Sequence, residues 1–389
     1  MASIRDLFLF NPDIHYLNHG SFGACPKPVF DDYQRWQLAF ERDPVQFVTK
    51  TGKEALYQSK KALAAFIHCH PDDLILLTNP STAGSIVIKG LHLNPGDEIL
   101  TTKQEYGAMD RTWNYVCTKT GAKYIRQEIP LPFTTKETFI DQFWKGLTKH
   151  TKIVFISQIT SPTALRFPVE EVVARAKELG LLTFVDGAHV PGHIPLDIEK
   201  LGVDIYTGAC HKWLLTPKGC SFLYVRKELQ NQFDPLIISW GYQAEFPSHS
   251  RFLDWHEYQG TRDFSAFLTI PAALKFRADN DWETRTAVCR IKIRELYPQL
   301  CEAMGTEPIC PVSNDSEFLV QMASVPTRTA DPYKLKDVFY DKYKIEIPVM
   351  KCGDQAFTRI SIQPYTSQED VDALLAAIRE ERKNGGLIS

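Results

Sequence analysis

Two ionisable residues draw attention by where they fall. Asp186 closes the apolar run LLTFVD, and Lys212 follows the run DIYTG within YTGACHKWLLTPKG. A lysine delivered to the end of a buried strand loses hydration, and burial favours its neutral form. A neutral lysine amine is a nucleophile that forms Schiff bases with carbonyl groups. A carboxylate on a neighbouring strand suits a protonated pyridine nitrogen, the pairing that makes pyridoxal phosphate an electron sink. Lys212 and Asp186 together therefore point to that cofactor.

The cofactor's phosphate needs hydroxyls and backbone N–H groups at a helix start. The stretch TNPSTAGSIVIKGL offers Asn79, Ser81 and Thr82 ahead of a helical apolar run. Tyr106 is placed to lie flat against a pyridine ring, and His189, three residues after Asp186, to reach its phenolic oxygen. Lys218, before Gly219, reads as a turn lysine outside the chemistry.

The elements that must position these residues alternate in type. EALYQSKKALAAF has apolar residues at helical spacing, and VEEVVARAKEL puts Val169, Val172, Val173, Ala176 and Leu179 on one helix face. EILTT, TKIVFIS, LLTFVD, DIYTG and CSFLYV read as short apolar strands, which suit a sheet covered on both faces. Such alternation predicts an α/β fold with a mostly parallel, doubly wound sheet. Beyond about residue 265, strand-like EFLVQMAS, KIEIPVM and TRISI mix with helical KLKDVFYDKY and EDVDALLAAIREERK, predicting a smaller α+β domain. The expected division is 1–25 as an N-terminal segment near the site, 26–265 as the large domain and 266–389 as the small one. Ligands of such sheets collect beyond the C-terminal strand ends. Glu105–Tyr106, Gln158 with Ser161, Asp186 and Lys212 all fall there.

Bulk properties narrow the class. The chain has 389 residues, 44% hydrophobic and 23% charged, with a net charge of −3. That balance gives no basic surface for nucleic acid or a membrane patch. Its apolar runs are far shorter than the ~20 residues of a membrane helix. The N-terminus does not read as a signal peptide. Nine scattered cysteines without a CxxC pair suit a reducing compartment, so the expectation is cytoplasmic, with no metal site. REERKNGGLIS is the one disorder-like stretch.

The motifs YLNHGSFGACP, NPSTAG, QEYGAM, ITSPTALRFPVEEV, FVDGAHVPGHIPLDIEKLGVD, YTGACHKWLLTPKG, YQGTRD and RISIQPYTSQEDVDAL occur in one order over nearly the whole chain. Together they resemble the class V aminotransferase-fold enzymes, and within them the bacterial isopenicillin N epimerase-like branch. The resemblance implies PLP-dependent fold type I, with a seven-stranded large-domain sheet and a homodimer whose active site lies at the subunit interface. It implies Lys212 as the Schiff-base lysine, Asp186 on the pyridine nitrogen and Tyr106 as the stacking residue. Ser81, Thr82 and His211 fall where the family holds the phosphate, and Ser161 and His189 where it contacts the ring oxygen. Thr261 corresponds to the residue reaching the neighbouring subunit's phosphate. Arg359 corresponds to the bidentate partner of the substrate carboxylate, and Asn18, His19 and Gly20 to the segment lining the substrate side. One departure is Ala209, where relatives often carry Asn or Ser able to donate to the phosphate.

Three activities remain open at this level. An epimerase or racemase would use Lys212 to remove a Cα proton, with Tyr106 or a histidine as a second acid. A C–S lyase or cysteine desulfurase-like enzyme would act on a sulfur amino acid; Cys352 lies near Arg359, but the longer cysteine loop of desulfurases looks absent. A cofactor-binding scaffold without turnover is disfavoured by the joint presence of Lys212, Asp186 and Arg359.

Overall fold

The computed structural model describes residues 3–313, 316–383 and 386–389. The N-terminal segment carries β1 (His15–Tyr16). The central part of the chain contributes β2 (Leu74–Leu77), β3 (Glu98–Thr102), β4 (Lys123–Gln127), β5 (Thr151–Ser157), β6 (Leu182–Gly187), β7 (Ile205–Ala209) and β8 (Ser221–Val225). These seven form one sheet in the order β2-β8-β7-β6-β5-β3-β4. Only β8 runs against its neighbours; the other six run parallel, as the alternating pattern predicts.

The inner strands are buried and mainly apolar because both faces are covered. Along β2, Leu74 and Leu76 enter one core while Ile75 and Leu77 enter the other. The same split separates Val154 and Ile156 from Ile153 and Phe155. This is the period-two geometry of a strand applied to a sheet with two dry faces. The edge strand β4, KYIRQ, is more exposed and carries Lys123 and Arg126, charges that discourage edge pairing.

Helix Val169–Glu178 buries Val169, Val172, Val173 and Ala176 on the expected face. Leu179, expected there too, lies past the last helical residue and is 46% exposed. The C-terminal part holds an antiparallel sheet of β9 (Met322–Thr327), β11 (Val349–Cys352) and β12 (Gln355–Ser361), in the order β11-β12-β9. β10 (Ile345–Glu346) pairs parallel with β1. The N-terminal segment is thereby tied to the C-terminal part before it reaches the site.

The described residues of the C-terminal stretch correct the disorder expectation, Asn384 and Gly385 lying outside them. Residues through Lys383 continue the helix Gln368–Lys383, and Ile388 is buried. The Ser389 N–H donates to the Arg328 carbonyl at 3.0 Å. An amphipathic helix followed by an apolar anchor has a core to pack on, which composition alone does not reveal.

Candidate active site

Because β2, β3, β5, β6 and β7 are parallel, their C-terminal ends share one rim. Asp186, one residue before the end of β6, is in register with Ser157 of β5 and Thr207 of β7. Lys212 follows β7 on the turn of residues 210–214. A cleft of about 400 Å³ opens there, lined by Gly20, Ser21, Tyr106, Ser161, Lys212 and Arg359 among others. Residues far apart in sequence thus converge on one volume.

The Lys212 amine lies 3.3 Å from His189 Nε2. Burial and the neighbouring Arg359 guanidinium lower its pKa to about 7, against the opposing pull of Asp186. The His189 ring is oriented by Trp213, whose indole N–H donates to Nδ1 at 3.3 Å. With Nδ1 accepting, a neutral His189 carries its proton on Nε2, facing the lysine. Burial, then the charges of Lys212 and Arg359, hold His189 neutral. Trp213 stacks on His193, with ring centroids 3.6 Å apart. His193 Nδ1 donates to the His189 carbonyl at 2.9 Å, while its Nε2 accepts from the Gln321 N–H at 2.9 Å.

Asp186 is 2% exposed. Its Oδ1 accepts from the Ala188 N–H at 2.9 Å, and burial raises its pKa. A carboxylate this buried needs a cationic partner, and a pyridinium N–H is one that fits.

The helix Pro80–Gly90 begins at this rim. Asn79 caps it, accepting from the Thr82 N–H at 2.8 Å and from its hydroxyl at 3.1 Å. Ser81 and Thr82 lie in the first turn, where N–H groups and the helix dipole favour an anion. His211 Nδ1 bonds the Cys220 carbonyl at 2.8 Å, leaving Nε2 as the end available to a ligand. Burial first, then Lys212, lowers its pKa to about 4; a bound phosphate dianion would oppose this. Ala209 has no polar side chain, and Ser221 opposite it donates instead to the Gly208 carbonyl at 2.6 Å.

Arg359, on β12, is 2% exposed. Its Nη1 donates to the Ser161 carbonyl at 2.7 Å and hydroxyl at 3.1 Å; its Nη2 donates to Ser21 Oγ at 3.0 Å. Nε has no partner, and no carboxylate among the described residues pairs with the guanidinium. Ser161 thus faces Arg359. Tyr106 precedes the helix Gly107–Thr120 and is 44% exposed at the cleft.

Of the N-terminal residues, Gly20 lines the cleft and its N–H donates to Ser361 Oγ at 3.0 Å. The His19 ring is spent internally, on Tyr365 and the Lys212 carbonyl. Asn18 lies outside the cleft lining with its Oδ1 unpaired. The segment therefore meets the cleft through Gly20, Ser21 and Phe22. Thr261 lies in a separate concavity of about 510 Å³ with Lys60, Trp240, Glu257 and Arg262, away from this chain's Lys212. Lys218 donates to the Gly23 carbonyl at 3.1 Å, clear of the cleft.

Sequence reading gave no role to Ser21, Trp213, His193 or Glu105. The first three act through contacts that only the fold creates. Glu105 carried a signal, a carboxyl immediately past a buried strand. It is 5% exposed, and its Oε2 accepts from the Ser157 N–H at 2.9 Å and hydroxyl at 2.5 Å. Oε1 accepts from Thr102 at 2.7 Å. Glu105 thus clamps the ends of β3 and β5 beside Asp186. Burial outweighs the Ser157 and Thr102 bonds and raises its pKa to about 8. A raised acid pKa contributes stability that is full below the unfolded value, and is lost as pH rises through the folded one. Glu105→Gln should therefore lack the part of the stability decline between about pH 5 and 8 that one proton causes, up to ~1.4 kcal/mol per pH unit. Urea unfolding of both proteins across that range checks it.

Residues 24–374 match the model of the class V aminotransferase family. The chain is 30% identical to an isopenicillin N epimerase from Amycolatopsis lactamdurans, covering 98% of each. It is 27% identical to a probable chloroplastic L-cysteine desulfhydrase from Arabidopsis thaliana, covering 96% of this chain and 84% of that one. A cysteine desulfurase from Thermococcus onnurineus shares the fold with a TM-score of 0.82 at 20% identity, over 98% of both chains. The chain belongs to the class V aminotransferases, a family of enzymes built on the fold type I scaffold and dependent on pyridoxal 5'-phosphate.

Proposed function

We propose that this enzyme acts at the α-carbon of an amino-acid substrate as an isopenicillin N epimerase-like epimerase or racemase. The observation that carries the reading is Arg359, a buried guanidinium without a carboxylate, in the same cleft as an amine whose pKa is about 7. A cation left unpaired beside a near-neutral base is complementary to an anion carrying a removable proton.

The bound cofactor supplies an electron sink for the pair left when the Cα–H bond breaks. Asp186 holds the ring nitrogen protonated, and His189, with Ser161, addresses the phenolic oxygen. Ser81, Thr82 and the Nε2 side of His211 take the phosphate, with Thr261 of a second copy completing the anion site in a homodimer. Arg359 holds the α-carboxylate and so presents the Cα proton to Lys212. Lys212 accepts that proton, and inversion requires another to arrive from the opposite face; the Tyr106 phenol is the candidate donor. The N-terminal segment closes the substrate side through Gly20, Ser21 and Phe22, while Asn18 and His19 stand behind it, His19 seating it on the Lys212 backbone. Nine free cysteines suit a reducing compartment such as the cytoplasm. No helix among the described residues is long and apolar enough to cross a membrane.

The second reading is a C–S lyase on a sulfur-containing amino acid, favoured by the desulfhydrase relatives. A persulfide route fits less well. Cys352 lines the cleft, but burial pushes its thiol up to about 11. It also sits on a tight hairpin, in register with Gln355, rather than on a long mobile loop. Cys352→Ala is expected to leave turnover within about twofold, whereas loss of an essential nucleophile costs orders of magnitude. The deciding experiment incubates the holoenzyme with amino acids and short peptides in heavy water. Mass spectrometry and chiral chromatography read α-deuteration with inversion, and sulfide and pyruvate are assayed from cysteine and cystine. Inversion without sulfide supports the epimerase; sulfide with pyruvate and no inversion replaces it by the lyase.

A further inference from the structure

Lys212 is held at both ends. Its amine meets His189, while its main-chain carbonyl bonds His19 Nε2 at 3.1 Å. His19 is 1% exposed, and its Nδ1 meets the Tyr365 hydroxyl at 2.7 Å. A carbonyl only accepts, so Nε2 must carry the proton, and Nδ1 must accept from Tyr365. One neutral tautomer satisfies both bonds. Burial, followed by Lys218, pushes the ring's pKa down to about 3.

The surrounding contacts allow little slack. The His19 ring lies 4.9 Å from the Trp213 ring, which orients His189. Arg277 donates to the Trp213 carbonyl at 2.9 Å. Gly23 has φ of +69°, and a Cβ there would fall 2.2 Å from the His211 carbonyl oxygen and 2.7 Å from that of Lys212. The N-terminal segment is therefore seated directly on the Lys212 backbone. Tyr365 follows the strand bearing Arg359, so the bridge spans the substrate-carboxylate side and the lysine side of one cleft.

The geometry points to His19 as a positioning residue that, through Tyr365, fixes the Lys212 main chain and thereby the arc its amine can sweep, rather than as a group that touches substrate. This rests on the reading of Lys212 as the proton-transferring lysine. A clamped main chain leaves the amine only side-chain torsions, so less orientational freedom is lost when it meets the Cα proton. The lysine also stays in its poorly hydrated place, which favours the neutral amine.

The test uses His19→Phe, His19→Gln and Tyr365→Phe, with two readouts. In the apoenzyme, amine labelling across pH with peptide mass spectrometry gives the Lys212 midpoint. In the holoenzyme, kcat and KM are separated. His19→Phe is expected to raise the midpoint by roughly one pH unit and lower kcat roughly tenfold, with KM within about twofold. His19→Gln, whose amide can still donate to the Lys212 carbonyl, is expected to recover kcat to within about threefold of the parent. A parental midpoint in His19→Phe, or equal losses in the Phe and Gln variants, would overturn the proposal. If His19→Phe does not fold, Tyr365→Phe decides: a raised midpoint with kcat down about threefold supports the bridge, and parental values for both overturn it. Failure of borohydride to fix the cofactor on Lys212 in the parent sinks the functional reading instead, while the apoenzyme midpoints still test the clamp.

Discussion

Lys212→Ala is expected to lower turnover by about 10⁴-fold or more, because in the proposed mechanism this one group both anchors the cofactor and moves the substrate proton. Borohydride treatment of the parent should fix the cofactor on the peptide containing Lys212, and the variant should show no such peptide. Lys218 is the internal control, since its amine is committed to the Gly23 carbonyl. Cofactor found on Lys218 would reassign the chemistry within the same loop. The pH dependence follows from the lowered pKa. Only the neutral amine attacks an aldehyde, and Lys212 becomes mostly charged below about pH 7. Cofactor capture by the apoenzyme should therefore slow about tenfold per pH unit on the acid side of 7 and level off above it. Stopped-flow absorbance reads this directly. A limb set by an ordinary lysine, near pH 10.4, would mean that burial does not govern the site.

The legible parts of this protein are those set by local pattern. The apolar runs that became β3, β5, β6, β7 and β8 predict a buried, mostly parallel sheet, and that sheet alone puts Asp186 and Lys212 on one rim. Arg359 enters the cleft from the separate β11-β12-β9 sheet, and its place was readable only through the family motif around it. What stayed hidden depends on tertiary contact. His19 sits in a segment whose sequence suggests a lining role, yet its ring turns to Tyr365 and the Lys212 carbonyl, partners remote in sequence. Ser21 is one serine among many until the fold brings it to Arg359. Leu179 obeyed the helical period, but the helix ended one residue before it, because periodicity marks a face and not a terminus. The C-terminal anchor around Ile388 looked polar and glycine-rich because the surface that receives it is assembled from distant elements.

Arg359 gives the other large expected effect, and its direction differs between stability and binding. Its guanidinium is 2% exposed and bonded only to neutral oxygens of Ser161 and Ser21. Burial lowers its pKa to about 10, a sign that the empty site bears a desolvated cation at a cost. Replacing an unpaired buried charge with an apolar side chain of similar length is often neutral or stabilising. Arg359→Met should therefore leave the melting temperature of the apoenzyme unchanged or higher. Binding should move the opposite way: losing a buried, hydrogen-bonded charge partner costs about 2–5 kcal/mol, so KM should rise by roughly 30- to 4,000-fold. Arg359→Lys keeps the charge but not the fork that matches a carboxylate, and an intermediate rise of about tenfold is expected. A third consequence separates this role from a structural one. Arg359 helps to depress the Lys212 pKa, so in Arg359→Met the acid limb of cofactor capture should move to higher pH. Scanning calorimetry, steady-state kinetics and the capture profile on one set of variants test all three. A melting temperature that drops sharply while KM changes less than about threefold would make Arg359 a structural residue and leave the substrate carboxylate without its partner.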